Sequence, residues 1–118
     1  MPANFADRSF DFACDIVRLY KELPATVSQV IKTQLLKAAT STGANLEEAR
    51  AASSRRDLKA KFAIALREAR ETLYWLRLIQ ATKLAPELLL RRRLAEAWEL
   101  VAVLAASVKK LKKSEKNG

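Results

Sequence analysis

From residue 9 onward the hydrophobic and polar positions of this chain follow a helical period. Phe12, Ile16, Leu19 and Leu23 recur at spacings of four, three and four, the interval that returns side chains to one side of an α-helix. Phe10, Ala13, Val17 and Tyr20 widen that stripe on the adjacent face. Pro24 disfavours helical geometry at the residue before it and ends the segment. Residues 1–8 precede the pattern and are expected to form a loose arm.

Thr26 followed three residues later by Gln29 reads as a capping box, with Thr26 as N-cap of a second helix running to about Ala52. Its heptad-spaced seam is Val27, Ile31, Gln34, Ala38, Ser41, Asn45, Glu48 and Ala52, apolar at first and then small and polar. Gly43 stands inside this helix, where it costs about 1 kcal/mol relative to alanine. That points to close approach of another backbone or to a local bend. Ser54 with Asp57 caps a third helix that extends to roughly Thr82. One stripe of it reads Leu58, Phe62, Ala65, Ala69, Thr72, Leu76 and Ile79. Beside that stripe run Ile64, Glu68, Glu71, Trp75 and Leu78.

Pro86 suits the first turn of a fourth helix. Leu90, Leu94, Ala97, Val101, Leu104, Val108 and Leu111 keep strict heptad spacing there, Trp98 and Ala105 broaden the face, and the helix frays into a lysine-rich tail at 109–118. Four amphipathic helices with short connections predict an all-α protein, an up-down-up-down antiparallel four-helix bundle. The length of 118 residues is that of a single domain, and only 2 Gly and 3 Pro leave little chain for loops.

Charge adds a functional direction. The formal net charge is +9, concentrated in Arg91, Arg92 and Arg93 and in the tail lysines Lys109, Lys110, Lys112 and Lys113. Such a balance favours polyanions, RNA first among them, through phosphate contacts and counterion release. The alternative is a solvated tail that serves solubility alone. No targeting signal is visible near the start, and the most apolar run, Leu100 to Ala106, is too short for a bilayer. No membrane partner is therefore expected. The single cysteine, Cys14, fits a reducing cytoplasm and reads as a small buried hydrophobe.

Catalytic and metal chemistry find little support. Glu48, Glu68, Glu71, Glu96 and Glu99 could converge in a bundle core, but a ferritin-like di-iron site needs two Glu-x-x-His pairs and the chain has no histidine. No cysteine–histidine cluster exists for zinc, no histidine base for a serine nucleophile, and no glycine-rich phosphate loop. The expectation is a non-enzymatic protein without metal, cofactor or small-molecule substrate. Gln34, Ser41, Asn45, Glu48, Glu68 and Glu71 form a polar seam with two readings. Either it sets helix register, with Glu48 paired to Lys37, Arg50 or an arginine of the third helix and Arg67 paired to Glu71, or it meets another subunit or a ligand. Trp75 and Trp98 are read as packing residues rather than as platforms for bases.

The central stretch resembles a known family. Gln34-Leu35-Leu36-Lys37-Ala38-Ala39, Ser41-Thr42-Gly43-Ala44-Asn45-Leu46-Glu47-Glu48-Ala49, Asp57 to Lys61, Ile64-Ala65-Leu66-Arg67-Glu68-Ala69 and Glu71-Thr72-Leu73-Tyr74-Trp75-Leu76 are similar to the four helix bundle protein family, also called the 23S ribosomal RNA intervening-sequence protein family. The heptad-spaced fourth helix and basic end suit it as well. Ala49 departs from the glycine that members often carry after the seam glutamate. The resemblance implies a cytosolic bacterial bundle that assembles as a ring-like homo-oligomer, commonly a pentamer. Some relatives are encoded in ribosomal RNA gene insertions. Others are accessory proteins of diversity-generating retroelements that partner a reverse transcriptase and bind nucleic acid through a basic surface. Two functional readings follow: a homo-oligomer that binds RNA or a nucleoprotein, or a protein-interaction scaffold with no nucleic-acid role.

Overall fold

Four helices account for nearly all of the chain: α1 (Phe5–Glu22), α2 (Gln29–Arg50), α3 (Arg55–Ala81) and α4 (Glu87–Asn117). The structure, a computed structural model, describes residues 5–117, with side chains through Ser114. No strand occurs among the described residues. The rod measures 51 × 22 × 22 Å, its long dimension set by α4, whose 31 residues rise about 1.5 Å each. No helix among the described residues is long and apolar enough to cross a membrane.

Each neighbouring pair runs antiparallel. Asp7 lies beside Arg50 and Tyr20 beside Gln29, which sets α1 against α2. Glu48 meets Lys61, and Lys37 acts on Glu68, in the α2–α3 pair. Arg56 lies close to Lys112 and Arg77 to Trp98 in the α3–α4 pair. Arg8 reaches Glu96 and Asp15 reaches Arg93, closing α1 on α4. That last pairing is the sparsest of the four.

The core follows the heptads of α1, α3 and α4. Phe12, Ile16, Leu19, Phe62, Leu76, Ile79, Leu90, Leu94 and Leu104 are all buried. Four expectations need correction. The arm foreseen at residues 1–8 is helical from Phe5 on, because Phe5 and Ala6 are buried and the Phe5 ring meets Phe62 edge-on at 6.3 Å; residues 1–4 lie outside the described part. Thr26 does not cap α2. Its hydroxyl donates instead to the Leu84 carbonyl at 2.9 Å, and Ser28, extended at φ −61°, accepts from the Ile31 amide at 3.2 Å. The foreseen cap of α3 is present, Ser54 accepting from the Asp57 amide at 3.0 Å.

The third correction concerns α2, whose buried stripe is Leu35, Ala38, Ala39, Thr42, Gly43, Leu46 and Ala49, rotated about one residue from the expected seam. Burying Leu35 and Leu46 is worth about 2 kcal/mol each, whereas burying Glu48 or Asn45 would require partners the core cannot supply. Ala38 is shared by both stripes and is buried. Fourth, α4 does not fray at the lysines but continues to Asn117. Lysines in its final turns complement the negative end of the helix dipole.

Candidate nucleic-acid interface

The three consecutive arginines expected to act together are separated by the helix. Successive residues point about 100° apart around the axis, so Arg91, Arg92 and Arg93 face three directions. Arg93 is buried, with 8% of its side chain exposed. Its Nε donates to Asp15 Oδ2 at 3.1 Å, Nη2 to Asp15 Oδ1 at 3.1 Å, and Nη1 to the Leu89 carbonyl at 2.8 Å. Arg93 therefore joins α4 to α1 and is withdrawn from any ligand. Arg92 is exposed and donates to the same carboxylate at 3.3 Å. Burial pushes the Asp15 carboxyl up, but the hydrogen bond and charge of Arg93, then Arg92, outweigh it and hold the group below its ordinary value. Arg91 is exposed.

The tail lysines Lys109, Lys110, Lys112 and Lys113 are exposed on α4. Eighteen residues make five helical turns, so Lys109 shares the flank of Arg91 and Lys110 that of Arg92. The two clusters are about 27 Å apart along one rod. What fills the gap comes from α3. Arg56, Arg67, Arg70 and Arg77 recur at spacings of eleven, three and seven, and all are exposed. These intervals keep them on one face. One end of that face adjoins α4 at a shallow groove of about 280 Å³, where Ala60, Ala63, Val108 and Leu111 form the floor and Arg56, Lys59 and Lys112 the rim. Near the other end Arg77 lies over the Trp98 ring, 5.7 Å from its centroid. The result is a cationic strip shared by α3 and α4 along the length of the bundle. Arg56, Arg70, Arg77 and Arg91 form no ion pair among the described residues.

One exposed carboxylate, Glu71, lies a turn beyond Arg67 on α3, and other acidic groups face α1. Glu96 and Glu99 of α4 turn toward α1 and hold Arg8, whose guanidinium meets Glu96 through two 2.9 Å bonds and Glu99 at 3.1 Å. The hydrogen bond that Arg8 donates to Glu96 raises the Arg8 pKa above its ordinary value. A cleft of about 440 Å³ between α1 and α4 is lined by these charges together with Asp11, Asp15 and Arg92. Four carboxylates and two guanidinium groups line it, so the cleft carries a net negative charge. No cluster of metal-ligating side chains is present among the described residues.

The polar seam lies on the α2–α3 flank rather than in the core. Gln34, Ser41 and Asn45 are half-buried and Glu48 is exposed. Glu48 pairs with a lysine of α3, Lys61, at 2.8 Å. Asn45 donates to the Ser41 carbonyl at 2.8 Å. The Glu68 carboxyl is pushed up by burial first and by the nearby Glu71 charge second. Trp75 packs against the core as expected, with its indole nitrogen buried and unpartnered. Trp98 does not: 54% of it is exposed.

Residues 3–114 match the 23S rRNA-intervening sequence protein family. The chain belongs to this family. It is also similar to a crystal structure of a protein with unknown function from the S23 ribosomal protein family of Bacteroides thetaiotaomicron, at 38% identity and a TM-score of 0.81, covering 89% of this chain and 98% of that one. No curated protein matches the chain. The match runs across all four helices, so it reports the fold. The cations of α3 were missed because they are spread at helical intervals, whereas the runs at 91–93 and 109–113 are contiguous and conspicuous. The 56–67–70–77 spacing is the signal that would have found them.

Proposed function

We propose that this protein is a non-enzymatic, self-associating bundle that binds RNA through the cationic strip of α3 and α4. The observation that carries the reading is the separation of charge. Arg56, Arg70, Arg77 and Arg91 stand unpaired along the α3–α4 side of the rod, while Asp7 and Asp15 of α1 and Glu96 and Glu99 of α4 are each engaged by an arginine. A solubility charge would be scattered, since like charges placed side by side repel. A continuous strip matches a phosphate backbone, and it contains no groove-reading helix or other base-reading module, so contacts to phosphate dominate.

Self-association is supported by a second surface. Phe10 and Val17 of α1 are 58% and 40% exposed and lie seven residues apart on one face, remote in sequence from the cations. An apolar stripe of this kind suits a second copy of the chain. The pentamer implied by the family resemblance is the proposed stoichiometry. Titration of the purified protein with a short RNA at several salt concentrations tests the function. The expected result is binding that weakens linearly in log–log form as salt rises. An absence of binding at low salt leaves the scaffold reading in its place.

A further inference from the structure

Two large aromatic rings stand in the cationic strip rather than in the core, Tyr74 edge-on to Trp75 with centroids 5.0 Å apart and Trp98 beneath Arg77. Trp98 and Tyr74 are each 54% exposed. Arg77 lies over the Trp98 ring at 5.7 Å, and it follows Tyr74 by three residues on the same face of α3. Tyr74, Arg77 and Gln80 border a surface recess of about 360 Å³. A ring, a guanidinium and a second ring are thus arrayed side by side, with Arg70 one turn before Tyr74 and Arg91 two turns before Trp98.

We propose that the partner of this strip is single-stranded, and that Trp98 and Tyr74 are platforms on which unpaired bases stack. The inference rests on the RNA-binding reading and narrows it. A duplex keeps its base faces stacked inside and offers a side chain only phosphates, hydroxyls and groove edges, for which exposed rings are of no use. An unpaired strand presents a π-face on every base, so stacking is tolerant of sequence and needs no hydrogen-bond code. Arg77 serves twice, holding the Trp98 ring in place and contributing a planar cation against a base or phosphate. Gln80 supplies a neutral amide at the recess, able to donate to or accept from a base edge.

The test compares one fluorescein-labelled oligouridylate with the same length of RNA duplex, by anisotropy at fixed salt, for the full chain and for Trp98→Ala, Trp98→Phe and Tyr74→Ala. The expected result is tighter binding of the single strand, a loss on the order of tenfold for Trp98→Ala, and substantial recovery in Trp98→Phe, with the salt slope unchanged. Both sites are exposed, so the melting temperature should stay where it is. Equal binding of strand and duplex with no effect of Trp98→Ala overturns this inference and leaves the RNA-binding reading standing. Loss of affinity together with a smaller assembly mass assigns Trp98 to a subunit contact and also overturns it. Failure to bind either RNA at low salt removes both.

Discussion

Arg93 and Asp15 face each other across the α1–α4 boundary in a two-pronged pair, both bonds 3.1 Å long, with 8% and 15% of the two side chains exposed. This is the most enclosed charge pair described in the protein, and it spans the most sparsely packed pair of helices. Removing Asp15 would leave a buried guanidinium with one carbonyl and a distant carboxylate, Glu22 at 4.0 Å. Asp15→Ala should therefore cost about 3 kcal/mol in urea unfolding. A destabilisation below about 1 kcal/mol would show that Arg93 swings out to water.

The same pair sets a pH limit. The Asp15 carboxyl titrates below its ordinary value in the fold, so the unfolded chain binds its proton first as pH drops. Its stabilisation is complete above the ordinary carboxylate range and is lost as pH falls through the lower, folded value. Thermal melts of wild type and Asp15→Asn should diverge at neutral pH and converge in acid.

Glu68 behaves in the opposite sense. Burial and the Glu71 charge raise its pKa in the fold. Its contribution is present below the ordinary glutamate value and disappears as pH rises through the raised one. Glu68→Gln should accordingly raise the melting temperature at neutral pH and lose that advantage near pH 4. If the substitution lowers stability at neutral pH, then Lys37 or Arg67 pairs with the carboxylate more strongly than burial disfavours it.

Gly43 packs beside α1, where an added Cβ would lie 3.5 Å from the Ser9 carbonyl oxygen and 3.8 Å from the Ala13 Cβ. Those are ordinary contacts, so Gly43→Ala should gain up to about 1 kcal/mol from helix propensity. Gly43→Leu should be destabilised instead, because its branches meet the α1 backbone. A melting series over Gly, Ala and Leu reads both signs. Ser9 offers a companion test: its hydroxyl is buried without a partner, and Ser9→Ala should stabilise by about 1 kcal/mol.

For RNA, Arg67→Glu and Arg70→Glu should weaken binding and flatten the salt slope by about 0.7 for each phosphate that is no longer neutralised. Arg93→Met should leave the affinity of the folded protein unchanged, although sequence proximity groups Arg93 with Arg91 and Arg92. An equal weakening for Arg93→Met would return the interface to the arginine run. In the same way, Phe10→Glu or Val17→Glu should lower the assembly mass in sedimentation without unfolding the helices, since both side chains are exposed.

How much of this was legible beforehand differs from helix to helix. The α1, α3 and α4 stripes could be read directly because large apolar residues recur at three and four, and no competing face is as greasy. The stripe of α2 was misjudged by one position. Between Leu35 and Leu46 it holds mainly small residues, Ala, Thr, Ser and Gly, so few large side chains anchor its period. Only packing against α1 and α3 chooses Leu35 and Leu46 for the interior. Thr26 and Ser28 are likewise equivalent caps by composition, and the Leu84 carbonyl, remote in sequence, draws Thr26 away.

The amino-acid order by itself determined that this chain would be four amphipathic helices of one bundle. Those properties are local, set by spacing along a helix and by residue type. Tertiary structure alone decided which charges are available. Helical rotation turned Arg93 inward to Asp15 while leaving Arg91 outside, and antiparallel packing brought the scattered arginines of α3 alongside the lysines of α4. The side-chain environment of a charge depends on the neighbouring helix, and no single segment of sequence contains that neighbour.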